Sequence, residues 1–74
     1  MLENLKLWYV GCKISSEKEL EKHLNKIFFP CNFKVNSGYR VEMRDESNFV
    51  KLFQFTIEKG VIINISGLSD NLSW

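Results

Sequence analysis

Few of the side chains that commonly carry out chemistry are present in this sequence, and they are widely spaced. The chain has a single histidine, His23, and two cysteines, Cys12 and Cys31, which lie 19 positions apart. Nucleophilic catalysis needs a nucleophile beside a base, and a structural zinc site needs four clustered ligands. The cysteine spacing matches no zinc motif, and the sequence places no base next to either thiol. These residues therefore predict a protein that is not an enzyme and that holds no metal.

The acidic residues and the glycines also form no recognised ligand-binding pattern. Asp45, Glu46 and Asp70 do not have the spacing of a calcium-binding loop. The four glycines are isolated from one another, so the sequence has no glycine-rich loop for a phosphate group. We therefore expect no bound cofactor.

The size and charge of the chain limit the class of protein. Its 74 residues suit one small α+β domain, 1–74, with a single core, and 68–74 is short and polar enough to be a loose tail. Ten Lys and Arg against nine Asp and Glu give a net charge of +1. This balance argues against duplex DNA as the main partner, because such proteins carry a clearly basic face.

The sequence lacks the features of a secreted or membrane protein. Its longest apolar runs are only a few residues, too short to cross a bilayer. Glu3 stands where a signal peptide would be basic. We therefore expect a cytoplasmic protein with no membrane partner, in which Cys12 and Cys31 are free and mostly buried thiols.

The clearest local pattern predicts an amphipathic helix over about 16–29. Ser16 followed by Glu19 is a capping-box pair, in which each side chain bonds the backbone at the start of the helix. Pro30 disfavours helical geometry at the preceding residue, so the helix should end there. One apolar stripe follows at helical spacing: Leu20, Leu24, Ile27 and Phe28.

The polar side of this helix carries a lysine ridge, formed by Lys18, Lys22 and Lys26 at a spacing of four residues. We interpret the ridge as a solvated face, because charges at this spacing usually lie on the outside of a helix. His23 lies at the border of the apolar stripe, and the sequence identifies no partner for it.

The stretch 39–66 predicts a β-meander that forms one wall of the core. Apolar and charged residues alternate at its start, which places Arg40, Glu42 and Arg44 on one face. A tight turn over 59–60 then leads into the last strand. The apolar residues of that strand alternate in the same way: Val61, Ile63 and Ile65.

Two further strands are expected before the meander. Four consecutive large apolar residues, 7–10, predict a central strand over 5–14 that is covered on both faces. The stretch 31–35 predicts a short strand before a turn at 36–38. The resulting α+β fold has the order β-α-β-β-β, with one helix packed on a four- to five-stranded, mostly antiparallel sheet.

The segment 49–58 fits two periodicities. As a strand it directs Phe53, Phe55 and Ile57 inward, and as a helix it clusters its apolar residues on one side and ends at Gly60. The run FQFTI favours the strand, because β-branched and aromatic residues lose rotamer freedom in a helix. The helix alternative gives a ferredoxin-like β-α-β-β-α-β fold.

Two stretches resemble RNA-recognition motif domains. The stretch 7–24, LWYVGCKISSEKELEKHL, looks like the first strand and helix of that family, and 37–46, SGYRVEMRDE, loosely resembles its third strand. The resemblance implies the ferredoxin-like fold, with 46–59 as a second helix. It also implies an interface for single-stranded nucleic acid on an open sheet face. Its contact residues would be Tyr9 and Tyr39, which would stack on bases, and Lys13.

Charged and aromatic residues are the candidates for binding another protein. Arg40, Glu42 and Arg44 lie on the predicted polar strand face, and Trp8 and Trp74 are the tryptophans. Arginine and aromatic side chains often contribute most of the energy of a protein interface. The uncovered edge of the last strand could also pair with a second copy of the chain and give a homodimer.

The absence of an enzyme motif predicts a small protein that acts by stoichiometric binding to another protein. Asn, Lys, Ile and Phe, whose codons are AT-rich, account for 27 of the 74 residues. This size and composition are typical of an inhibitor or accessory factor from a phage or other mobile element, such as an anti-defence, anti-CRISPR-like or immunity protein. The alternative function is a domain that binds single-stranded RNA or other nucleic acid.

Overall fold

The computed structural model describes residues 2–68, which form two helices and four strands. Trp74 and the rest of the predicted tail beyond Leu68 lie outside the described residues. In chain order the elements are α1 (Leu2–Tyr9), α2 (Glu17–Ile27), β1 (Asn32–Asn36), β2 (Arg40–Arg44), β3 (Val50–Glu58) and β4 (Val61–Gly67).

The four strands form one open antiparallel sheet in the order β1-β2-β3-β4, so the predicted β-meander and the α+β class are confirmed. The ambiguous segment 49–58 is almost entirely strand β3. The ferredoxin-like alternative is therefore wrong, and so is the second helix over 46–59 that the RNA-recognition motif resemblance implied. The predicted order β-α-β-β-β is also wrong, because the chain starts with a helix and the observed order is α-α-β-β-β-β.

The predicted first strand, 5–14, is instead the end of helix α1 followed by an extended segment. Leu2, Leu5 and Tyr9 lie at i, i+3 and i+7, so one side of α1 faces the core, where Leu5 is fully buried. The chain leaves helical geometry at Gly11, whose φ of 96° suits glycine far better than any other residue. The three residues after it run antiparallel along the outer edge of β4.

Helix α2 begins where the capping box predicted. The Ser16 Oγ accepts a hydrogen bond from the Glu19 backbone N–H at 3.1 Å. Hydrogen bonds from the Ser15 hydroxyl and, secondly, from the Ser15 N–H hold the pKa of the Glu19 carboxyl below its usual value. Leu20 and Leu24 are buried, so the apolar stripe packs against the sheet. The predicted helix is confirmed, but it ends at Ile27, and Ile27, which the predicted stripe included, is 43% exposed.

The turn between β3 and β4 also follows the prediction, but the register beyond it does not. Both residues of the 59–60 turn have positive φ, as a two-residue type I′ hairpin requires. The β3–β4 register then shifts after Thr56, which leaves one extra residue in β4. Ile62 and Ile65 are consequently buried, and the prediction that Ile63 faces the core is wrong, since it is 46% exposed.

Both helices lie on one face of the sheet, with α2 beside β1 and α1 beside β4. Buried side chains from both helices and all four strands form a single cluster, in which Phe53 and Phe55 of β3 are the largest fully buried residues. Burying each of these rings contributes about 1.5–3 kcal/mol to folding. The inward direction predicted for Phe53 and Phe55 is confirmed, and their burial fixes which side of the meander faces the solvent.

Candidate binding surfaces

The sheet face away from the helices carries the predicted charged contacts. In β2 the buried residues Val41 and Met43 alternate with Arg40, Glu42 and Arg44, which are all exposed. The two arginines of the chain therefore lie on the same side of one strand, four residues apart. Since a strand rises about 3.3 Å per residue, their backbones are separated by about 13 Å along β2.

The strand register places apolar and charged neighbours beside these residues. Lys34 of β1 and Leu52 of β3 lie on either side of Glu42, and Val50 of β3 lies beside Arg44. Leu52 is 37% exposed and Val50 is 40% exposed. We define the open face by six residues: Lys34, Arg40, Glu42, Arg44, Val50 and Leu52. This surface combines three cations and one acid with exposed apolar area, which is a composition suited to recognition.

A groove of about 390 Å³ lies between the end of α1, the segment after it, and α2. We call it the helix groove. Its most exposed aromatic residue is Trp8, at 61%. A volume of this size lies within the range of about 300–1,000 Å³ that is usual for ligand-binding clefts. The other apolar lining residues are Tyr9, Ile14 and Leu20, and the charged lining residues are Lys13, Glu19, Lys22 and Lys26.

His23, whose partner the sequence did not identify, is paired with Tyr9 in the wall of this groove. The Tyr9 hydroxyl lies 3.0 Å from His23 Nδ1, and the two rings meet edge to face at 5.6 Å. Burial, with a smaller contribution from the nearby Cys12 thiol, raises the pKa of Tyr9 to about 12. Tyr9 therefore stays protonated at neutral pH and connects α1 to α2.

The two cysteines are free, as predicted, but they are not both buried. Cys31 is partly buried beside the core, whereas Cys12 is exposed in the lining of the helix groove. The Cys12 thiol donates a hydrogen bond to the Trp8 backbone C=O at 3.2 Å. The expectation of a buried thiol at Cys12 is wrong, because the residue follows the end of α1 instead of lying in a central strand.

The outer edge of β1 is occupied by side chains of α2. The Asn25 Oδ1 accepts from the Phe33 N–H at 2.7 Å, and the Asn25 Nδ2 donates to the Phe33 C=O at 3.0 Å. The Glu21 Oε1 accepts from the Val35 N–H at 2.8 Å. These three bonds occupy backbone groups that an edge strand otherwise offers to another chain.

The outer edge of β4 is paired at its start. The Ile62 N–H donates to the Cys12 C=O at 2.9 Å, and the Ile62 C=O accepts from the Gly11 N–H at 2.7 Å. Further along, Phe55 directs its N–H towards β2, so its β4 partner Ile65 directs its own N–H and C=O away from β3. Gly67 lies two residues further along β4, so it also directs its N–H and C=O away from β3. Within residues 2–68, the outward groups of Ile65 and Gly67 have no backbone partner.

The three residues proposed for nucleic-acid contact do not share a sheet face. Tyr9 is in α1 and is only 4% exposed, Tyr39 is in the β1–β2 turn at φ 60°, and Lys13 lies beside β4. Tyr9 and Tyr39 therefore do not lie together on an open sheet face, as the resemblance implied, and Tyr9 is too buried to stack on a base. The i, i+3, i+7 spacing that begins at Leu2 was the sequence signal that could have revealed α1 and, with it, the helix groove.

No family model, curated protein or solved structure matches this chain. Among residues 2–68, no three histidine, cysteine or acidic side chains are grouped so that they could hold a metal ion. Neither helix of the described part has the length and apolar character needed to cross a membrane. The geometry of the open face and the helix groove is thus the basis for any functional inference.

Proposed function

We propose that this protein is a cytoplasmic, non-catalytic binding module that acts by forming a stoichiometric complex with another protein. The observation that supports this proposal best is the open face. Both arginines of the chain, Arg40 and Arg44, lie on it beside the exposed apolar residues Leu52 and Val50. Arginine next to apolar surface is the combination that is enriched at the centres of protein interfaces.

The chemistry of the open face suggests the character of the partner surface. An arginine guanidinium donates two parallel hydrogen bonds to a carboxylate, which fixes the orientation of the partner as well as adding energy. Arg40 and Arg44 would engage two acidic side chains about 13 Å apart, while Leu52 packs on an apolar residue between them. Glu42 would disfavour a uniformly acidic surface, because like charges repel across an interface.

The class of protein follows from size and composition. A single domain of 74 residues that offers a binding face is suited to blocking or assisting a larger protein. The high content of residues whose codons are AT-rich suggests a phage or another mobile element, so we propose an inhibitor or accessory factor of the anti-defence, anti-CRISPR-like or immunity type. Trp8, which is exposed in the helix groove, is a second contact in this proposal.

A second candidate function is binding of single-stranded nucleic acid. It is favoured by the net positive charge of the open face, which has three cations and one acid. Lys34, Arg40 and Arg44 could follow a phosphate backbone, and such binding would fall steeply with salt. However, none of the six residues of the open face is aromatic, so the base stacking that usually supports such binding would be missing. The protein-binding proposal is therefore the stronger one.

The test compares the tagged protein with three variants. They are an Arg40→Ala, Arg44→Ala double variant, an Arg40→Lys, Arg44→Lys double variant, and a Lys18→Ala, Lys59→Ala control, which removes two charges from exposed sites elsewhere. Each is used to capture partners from extracts of bacteria with AT-rich genomes, and the captured partner is then purified and titrated by calorimetry. We expect one partner molecule per chain. Both the wild type and the Lys18→Ala, Lys59→Ala control should bind it.

The arginine variants separate the two candidate functions. Loss of Arg40 and Arg44 should weaken a protein complex at least tenfold, and lysine at both positions should restore little, because lysine lacks the planar fork. A nucleic-acid binder would instead tolerate lysine and would bind a labelled single-stranded oligonucleotide in anisotropy measurements with strong salt dependence. Equal partner affinity for the wild type and the double alanine variant would rule out the open face.

A further inference from the structure

The helix groove joins an apolar surface to a cluster of cations. Trp8 is 61% exposed there, although its neighbour Tyr9 is buried. A large exposed aromatic side chain in a concave site is typical of a place that a partner covers. The groove is built from α1 and α2, so it lies on a different part of the molecule from the open face.

The charges that line the groove are mostly positive. Lys13, Lys22 and Lys26 face a single acid, Glu19. The Glu19 carboxylate already accepts two hydrogen bonds from Ser15 at the start of α2, so it is committed to capping the helix. A complementary ligand therefore carries negative charge around an apolar group.

We propose that the helix groove binds an acidic segment of the partner protein, in which a bulky apolar side chain packs on Trp8 and flanking carboxylates face the lysines. This inference rests on the proposed protein-binding function and adds a second contact site to it. The volume of about 390 Å³ accommodates an aromatic side chain with its neighbours. Charge complementarity around an apolar anchor provides both the energy and the specificity of such a contact.

The lysine ridge of α2 provides an internal control. Lys22 and Lys26 line the groove, whereas Lys18, one turn earlier on the same ridge, does not. All three are exposed, so their replacement by alanine should leave the fold intact. A difference between these positions therefore reports on the groove and not on the net charge of the chain.

The first experiment uses a Trp74→Phe variant, in which Trp8 is the only tryptophan and its fluorescence reports on the groove. The probe is a short synthetic peptide with a central phenylalanine flanked on both sides by glutamates. Comparison peptides replace the phenylalanine with alanine or the glutamates with lysines. Phenylpropionate, which has one aromatic ring and one carboxylate, tests whether a small molecule with these two groups binds as the peptide does.

We expect saturable quenching or enhancement of Trp8 fluorescence by the acidic phenylalanine peptide. A Lys22→Ala, Lys26→Ala double variant should bind it about five- to tenfold more weakly, because each exposed ion pair contributes modestly. Lys18→Ala should bind like the parent. The proposal is overturned if the peptide does not bind, if the lysine-substituted peptide binds equally well, or if phenylpropionate binds as tightly as the peptide.

A second readout uses the exposed thiol in the groove lining. In a Cys31→Ser variant, alkylation by iodoacetamide reports on Cys12 alone, and the bound acidic peptide should slow it severalfold. Unchanged alkylation at saturating peptide would contradict binding in the groove. A captured partner that depends on Arg40 and Arg44 but not on Lys22 and Lys26 would refute the groove proposal alone and leave the proposed function intact.

Discussion

Burial changes the acid–base chemistry of Tyr9 and gives the residue a structural role. Its ring lies against Phe28 as well as His23, and its hydroxyl bonds the imidazole from within the wall of the groove. Burial disfavours the charged phenolate, and a nearby thiolate at Cys12 would disfavour it further, so both effects raise the pKa to about 12. A residue that resembles a base-stacking tyrosine in the sequence is thus part of the core in the fold.

We predict that the folded protein deprotonates Tyr9 with a midpoint near pH 12, compared with a usual value of 10.0. A Tyr39→Phe variant leaves Tyr9 as the only tyrosine, and absorbance near 295 nm follows its ionisation. Because the folded pKa is raised, the contribution of Tyr9 to stability is complete below pH 10 and is lost as the pH rises towards 12. A midpoint at the usual value would show that Tyr9 is exposed to solvent.

Helix α1 illustrates how a short segment can satisfy two local patterns. The run 7–10 is continuously apolar, which favours a central strand, but the earlier spacing of Leu2, Leu5 and Tyr9 is helical. The helix prevails because it buries Leu5 and Tyr9 in the core, while Leu7 and Trp8 stay exposed. The strand interpretation assumed that both faces of 7–10 are covered, so it could not predict that Leu7 and Trp8 are exposed.

Replacing Leu5 or Leu7 with alanine distinguishes the helix from the strand. In a strand the two side chains would face the same side, whereas in α1 Leu5 is 0% exposed and Leu7 is 81% exposed. We expect Leu5→Ala to lower the free energy of unfolding by about 2–5 kcal/mol. The matched change Leu7→Ala should cost no more than about 0.5 kcal/mol in urea denaturation. Similar losses for both variants would contradict the helix.

Asn25 of α2 makes two of the three side-chain hydrogen bonds that close the edge of β1. Asn25 mimics the backbone of a neighbouring strand by bonding both the N–H and the C=O of Phe33. We expect Asn25→Ala to destabilise the fold by about 1–3 kcal/mol, because it leaves part-buried backbone groups without their partner. The exchange rate of the Phe33 amide hydrogen should rise, as measured by NMR. The control Asn4→Ala, at an exposed position of α1, should change neither quantity.

At the level of the whole molecule, local signals predicted most of the elements, and tertiary contacts determined the rest. The capping box at Ser16 and the turn at 59–60 act over a few residues, so α2 and the β3–β4 hairpin followed from the sequence. The alternation around Val41 likewise predicted which side of β2 is exposed. For this reason the charged residues that β2 contributes to the open face could be predicted from the sequence.

The helix groove and the edge contacts could not be predicted in this way. The groove brings together residues from 8 to 26, and its shape depends on where the sheet places α1, beside β4, and α2, beside β1. The pairing of His23 with Tyr9 spans 14 positions and has no periodic signature. The extra residue in β4 shifts the alternation only when β3 is its partner, so the exposure of Ile63 was not predictable from the strand alone.

The pattern of occupied edges bears on self-association of the molecule. The edge of β1 is closed by α2, and the start of β4 is paired with 11–14, so within residues 2–68 the outward groups of Ile65 and Gly67 are the place where a second copy could add. We propose that two copies pair antiparallel through this part of β4, with Ile65 of each copy opposite Gly67 of the other across a two-fold axis. Such a contact is short, so the dimer should be weak and dependent on concentration.

Substituting Gly67 tests this pairing without disturbing the sheet. Gly67→Pro removes an N–H that points away from β3, whereas Gly67→Ala keeps it, and Gly67 is the last residue of strand β4. Over about a hundredfold range of concentration, sedimentation velocity should show the wild type and Gly67→Ala shifting towards the dimer and Gly67→Pro remaining monomeric. If the wild type stays monomeric throughout, or if all three associate equally, β4 does not mediate a homodimer, and the open face is left as the main surface for a different protein.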